Sequence, residues 1–208
     1  RMHEEAHWNR MLSLGEQQSL GVARALLQLD GEWKFSTSVP PELAAGEAPA
    51  IESWSQIHVP GEWAMQGFSV PSSTMACYAR RFEIPADWTG KRFKLRFDAV
   101  HSVCKVWING RVVGEHEGGF VPFEFDITDA AKPGENVVCV GVQSESVSDT
   151  LASMSQYAAH QVGGILRKVT LFALPEVNLS VMVVTTKVPE GGGTHFIDEL
   201  TLAVEIEG

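Results

Sequence analysis

From about residue 75 onward, apolar and polar side chains alternate along the chain with a period of two. In Arg92-Phe93-Lys94-Leu95-Arg96-Phe97-Asp98 the apolar residues fall on one face and the charges on the other, which predicts a half-buried strand. Val103 to Ile108 and Arg111-Val112-Val113 repeat the pattern on either side of Asn109-Gly110. Asn-Gly supplies the two positive-φ positions of a type I′ turn, so a tight hairpin is expected there. Asn136 to Val142 is apolar on both faces, as in a strand covered on two sides, and Pro133-Gly134 before it marks a turn. Ile165 to Leu174 reads as a further strand, opened by Gly163-Gly164 and closed by Pro175; Trp33-Lys34-Phe35 and Ser55 to Val59 read as shorter ones. Helical patterns are scarce. Ser19 to Gln28 and a turn at Ile127 to Ala131 are the best, and neither is long enough to cover a sheet. Many short strands, few helices and no βαβ rhythm predict an all-β antiparallel sandwich of jelly-roll type.

After Pro175 the pattern restarts. Val177, Leu179, Val181 and Val183 alternate with smaller or polar residues, Pro189-Glu190-Gly191-Gly192-Gly193 reads as a turn, and Leu200, Leu202, Val204 and Ile206 alternate again. Two strands cannot make an immunoglobulin-like sandwich, which needs ~7. They either dock on the first domain or begin a second one.

Composition adds exclusions. The 208 residues are 44% hydrophobic and 20% charged, as in an ordinary globular protein. A net charge of −10 repels phosphate backbones and anionic lipid, which argues against nucleic-acid and membrane partners. No run approaches the ~18 apolar residues of a membrane-spanning helix. The amino end, Arg1-Met2-His3-Glu4-Glu5, carries acids where a signal peptide places positive charge. Compartment stays open between periplasmic or extracellular and cytoplasmic placement.

Candidate chemistry is sparse. Cys77, Cys104 and Cys139 are an odd count without a CxxC pair, so they are expected as reduced, small hydrophobes rather than disulfides or zinc ligands. His3-Glu4-Glu5-Ala6-His7 matches the HExxH spacing of a zinc protease, but it sits at a terminus with no helix to pack it and is expected to be solvated. Neither a metal site nor a cofactor is therefore expected. Gly114-Glu115-His116-Glu117-Gly118-Gly119 reads as a loop joining two strands, either a plain turn or the rim of a sugar site. The carboxylate pairs Glu115 with Glu117 and Glu145 with Asp149 read as solvated charge, and no Gly-x-Ser-x-Gly elbow is present. Among the aromatics, Trp33, Phe93, Phe97 and Trp107 fall on strand faces and are expected in the core, whereas Trp63, Phe120 and Tyr157 are candidates for a sugar-stacking rim. Asn178-Leu179-Ser180 is a glycosylation sequon by pattern.

One ordered series of segments carries a resemblance. It runs Leu29-Asp30-Gly31-Glu32-Trp33-Lys34-Phe35, Val59-Pro60-Gly61-Glu62-Trp63, Tyr78-Ala79-Arg80-Arg81-Phe82, Trp107-Ile108-Asn109-Gly110 and Gly114 to Phe120. It continues with Pro122-Phe123-Glu124-Phe125-Asp126-Ile127-Thr128, Pro133-Gly134-Glu135-Asn136 and Gly163-Gly164-Ile165-Leu166-Arg167-Lys168-Val169. In this order the segments resemble the amino-terminal sugar-binding domain of glycoside hydrolase family 2, the β-galactosidase and β-glucuronidase family. The resemblance implies an amino-terminal extension at 1–25, a galactose-binding-like jelly-roll domain at 26–175 and the first strands of an immunoglobulin-like domain at 176–208. It also implies that the catalytic glutamates lie on a TIM barrel, which alone takes ~250 residues and cannot fit here. The chain by itself is thus expected to be non-catalytic, with a β-galactoside or related glycoside and the remaining domains of a parent enzyme as its partners.

In the β-galactosidase branch this domain contributes an Asp from a Ser-Asp-Gly loop. Ser148-Asp149-Thr150 stands in the matching place with Thr where the family has Gly. The resemblance thereby points to Asp149 and, in the same loop, His160 as sugar contacts. Alternatives are a stand-alone carbohydrate-binding module and a purely structural domain. A sandwich built to pack on a barrel is also expected to expose an apolar patch and to self-associate when isolated.

Overall fold

The computed structural model describes residues 25–145, 162–187 and 199–207. They form fourteen strands: β1 Ala25–Gln28, β2 Gly31–Ser36, β3 Ser55–Val59, β4 Ala76–Ile84, β5 Arg92–Phe97, β6 Val100–His101, β7 Val103–Ile108, β8 Arg111–Glu117, β9 Phe123–Asp126, β10 Gly134–Gln143, β11 Gly164–Ile165, β12 Val169–Leu174, β13 Asn178–Lys187 and β14 Glu199–Glu207. Among the described residues the only helical pieces are short 3₁₀ turns. A four-stranded sheet ordered β1-β12-β5-β9 faces a six-stranded sheet ordered β3-β2-β4-β10-β7-β8, and β6 pairs with β11. Every strand pairing is antiparallel, as the sequence predicts for a sandwich.

The alternation places the core. Phe93, Leu95 and Phe97 of β5 point inward to meet Val138, Val140 and Val142 of β10, with Trp33, Phe35 and Tyr78 filling the space between the sheets. Fully burying each such side chain contributes about 1.5–3 kcal/mol. The opposite face of β10 is apolar because it is covered too. The segment 37–54 straps across it, and Leu43 and Ile51 bury Cys77, Ala79, Trp107, Val137 and Cys139 in a second cluster. All three cysteines are free thiols and buried.

The β7–β8 hairpin forms where Asn-Gly predicts it, with φ of 52° at Asn109 and 87° at Gly110. Asn109 then does a second job. Its side chain donates to Ala130 O (3.0 Å) and Asn136 Oδ1 (2.8 Å) and accepts from Val137 N (3.0 Å), which fastens the hairpin tip to the turn before β10. Asp30 acts similarly at long range, accepting the Val169 N–H at 2.9 Å to start β12. Arg80 Nη1 donates to the carbonyls of Leu29, Asp30 and Glu32, holding the β1–β2 connection.

Three expectations need correction. Ala25–Gln28 is a strand, not the end of a helix, because it completes the edge of the four-stranded sheet in register with Thr170 to Ala173; Ser19 to Arg24 lie outside the described residues. Ile165 to Leu174 is two strands, since the chain leaves β6, turns as Leu166 N and Arg167 N donate to Ala99 O, and re-enters beside β5. Gly114 to Glu117 is the continuation of β8 rather than a loop. Gly114 is small because the Phe125 ring occupies the space a side chain would take.

β13 and β14 form a separate two-stranded sheet. Their register puts Leu179, Met182 and Val184 on one face with Ile206, Val204 and Leu202, and these side chains are 43–65% exposed. Asn178 lies at the start of β13, with its side-chain amide donating to Pro175 O at 3.4 Å.

Candidate functional site

Asp149, His160 and Tyr157 lie outside the described residues, but the structure fixes the two points from which their segment departs, Glu145 and Val162. Both are at one end of the sandwich. Ser102 N donates to Gln143 O (2.9 Å) and Gly118 N to Ser102 O (2.9 Å), so the end of β10, the β6–β7 junction and the loop after β8 are stitched together in turn. Gln143 Nε2 donates to Glu145 O at 2.8 Å and holds the outgoing chain. On the returning side, Gly164 pairs with His101, Gly61 N donates to Ile165 O (2.9 Å) and Trp63 N to Gly163 O (3.2 Å).

Two glycines make this convergence possible. At Gly163 any side chain would collide with the Trp63 indole, and at Gly119 with the His101 ring. Trp63 is therefore a buried floor, 3% exposed, rather than the rim aromatic the sequence suggested. Phe120 does stand at the rim. It is 68% exposed, with Val121 beside it at 54%, and its ring centroid is 5.2 Å from that of His101, which supports it from behind. His116 stacks on Phe123 at 3.9 Å. His101 Nδ1 and His116 Nε2 are buried without a hydrogen-bond partner, a feature no sequence pattern signals because it depends on how the loop Gly118 to Val121 closes over both rings.

Of the carboxylates that the sequence pairs, Asp149 lies outside the described residues. Glu115 is exposed and pairs with Lys105 at 2.7 Å. Among the described residues no three His, Cys, Asp or Glu side chains gather as metal ligands. The end of the sandwich thus presents Phe120 and Val121 to solvent beside the two points where the chain leaves and re-enters the described residues.

A cleft of about 290 Å³ lies at the far end of β5, lined by Arg92, Arg111, Asp126 and Thr128 among others. Burial alone would raise the Asp126 carboxyl, but hydrogen bonds from Thr128 and the Arg92 guanidinium (2.8 Å) hold it below its ordinary range.

Comparison with known proteins bears on the sandwich as a whole. The family model described as "Glycosyl hydrolases family 2, sugar binding domain" matches residues 70–175. The β-galactosidase of Pectobacterium atrosepticum is 31% identical over 191 residues, covering 79% of this chain and 18% of its own length. That of Halalkalibacterium halodurans is 28% identical over 178 residues, covering 73% of this chain and 17% of its own. Among solved structures, an uncultured Clostridium β-glucuronidase superposes with a TM-score of 0.70 at 25% identity, covering 89% of this chain and 34% of that one. A Bifidobacterium dentium β-glucuronidase complexed with coumarin-3-O-glucuronide gives 0.61 at 26%, covering 80% and 32%. The chain therefore spans under a fifth of the length of these curated relatives.

Proposed function

The chain belongs to glycosyl hydrolases family 2 and carries its sugar-binding domain, and from that premise we propose that it serves a longer retaining β-glycosidase as the part that helps hold a terminal β-galactoside or related glycoside while other domains cleave it. The observation that carries this reading is the convergence of β6, β10, β11 and the Phe120 loop at one end, where the segment bearing Asp149 and His160 leaves the sandwich. In this reading Asp149 accepts a hydrogen bond from a sugar hydroxyl and His160 contacts the ring or orders the loop. The domain layout that goes with it is an extension at 1–25, the sugar-binding sandwich at 26–175 and the opening of an immunoglobulin-like domain at 176–208. The exposed apolar face of the β13–β14 sheet supports that last part, since a lone two-stranded sheet needs a covering layer.

Half a site binds weakly. The 208-residue chain is expected to bind free galactosides no tighter than about 1 mM, about −4 kcal/mol. In the enzyme that carries the domain, Asp149→Asn is expected to lower kcat/KM by roughly ten- to a hundredfold, the worth of a hydrogen bond to a charged group, about 1.5–3 kcal/mol. Unchanged kinetics with the fold intact would remove Asp149 from the sugar site. Micromolar binding by the isolated chain would instead favour a stand-alone carbohydrate-binding module.

A further inference from the structure

The outer face of the six-stranded sheet brings three sulfur atoms together. In the β4–β10 register Cys77 lies opposite Gly141, and Cys139 opposite Ala79, so both thiols sit on the face covered by segment 37–54. Met75, two residues before Cys77, packs into the same cluster. Its thioether uses the space that Gly141 leaves open, since a Cβ on Gly141 would lie 2.7 Å from Met75 Sδ. The Met75 sulfur therefore sits over the residue directly across from Cys77 and two along from Cys139. The Trp107 ring closes one side, with its Cζ3 3.1 Å from the same point.

The surroundings select the chemistry. Leu43, Ile51, Ala79 and Val137 are the other buried members of the cluster, and none offers an oxygen or imidazole side-chain ligand. Lys105, opposite Gly141 on β7, lies over the Trp107 ring at 5.7 Å and pairs with Glu115 at 2.7 Å. Cys77 and Cys139 are 0% and 1% exposed, while Met75 is half-buried. The neighbouring Cys139 thiol and burial hold Cys77 well above the ordinary thiol range. A disulfide fits poorly. Diagonal positions on antiparallel strands are about 7–8 Å apart at Cα, beyond the usual disulfide span of about 4.4–6.8 Å. An ion between the sulfurs adds two bonds of about 2.3 Å, the length at a zinc thiolate, and covers the difference.

We propose that Cys77, Cys139 and Met75 form a binding site for a soft monovalent cation, Cu(I), which thiol and thioether sulfur select over hard or borderline metals. One S–H bond breaks and its proton leaves to solvent as a Cu–S bond forms. The second thiol and the thioether donate lone pairs, the metal stays Cu(I), and the buried complex is neutral. The site is independent of the sugar-binding reading.

Silver(I), the redox-inert analogue, tests it on the reduced 208-residue chain. Native mass spectrometry is expected to show one tightly held Ag(I) per chain, with a raised Tm. Met75→Leu should weaken binding roughly tenfold. Cys139→Ser should abolish the tight site, whereas Cys104→Ser, on the opposite face of the sheet, should leave it intact. Should Cys139→Ser fail to fold, the conservative Met75→Leu still decides. The proposal is overturned by no retained Ag(I), or by retention that Met75→Leu leaves unchanged, or by retention that Cys104→Ser removes.

Discussion

Asp126 shows how single residues here respond to their setting. Its carboxyl is held below its unfolded value, so it contributes stability above pH ~4, and that contribution is lost as pH falls through the lower folded value. Denaturant melts of the wild type and Asp126→Asn are expected to differ at pH 7, by less than about 1 kcal/mol for a pair this exposed, and to converge by about pH 2. A gap that widens on acidification would contradict the pairing with Arg92. Residues whose role is local were legible in the sequence, as with Asn109-Gly110, whose positive φ angles are a property of the turn itself. Trp63 was not. It is buried by Gly163, a residue about one hundred positions later, and only the folded chain reveals that contact.

Among the elements, the β7–β8 hairpin could be read from alternation around Asn109-Gly110 and the doubly covered β10 from its continuous apolar run, whereas β1 could not be read, because its strand state comes from pairing with β12 at the other end of the domain. Segment 37–54 was silent for a related reason. It has little regular structure, yet its Leu43 and Ile51 decide that β10 is apolar on both faces. Its docking is tied to the hairpin tip. A Cβ at Gly110 would lie 2.5 Å from the backbone of Gly46 and Glu47, in addition to a φ of 87°. Gly134, with a similar φ of 81° and nothing within 4 Å, supplies the control. Gly134→Ala is expected to cost about 1–2 kcal/mol for the backbone alone, and Gly110→Ala about 1–3 kcal/mol more for the overpacking. Equal losses in chemical denaturation would show that the strap does not press on the turn.

At the scale of the whole molecule, the ordered motifs made the family legible, while the candidate sugar contacts Asp149 and His160 rest on resemblance alone and lie outside the described residues. The end of the sandwich where their segment departs presents Phe120 and Val121 to solvent, and the β13–β14 sheet presents an apolar face, so the chain carries two surfaces suited to being covered by other domains. A TIM barrel of ~250 residues does not fit within 208. The most direct measurement is turnover of nitrophenyl β-galactoside, β-glucuronide and β-mannoside by the purified 208-residue chain beside a full-length enzyme carrying the same domain. The expected result is nitrophenol release by the full-length enzyme on one of the three and none by the 208 residues alone. Hydrolysis by the isolated chain at the specific rate of an ordinary glycosidase would contradict a non-catalytic sugar-binding role.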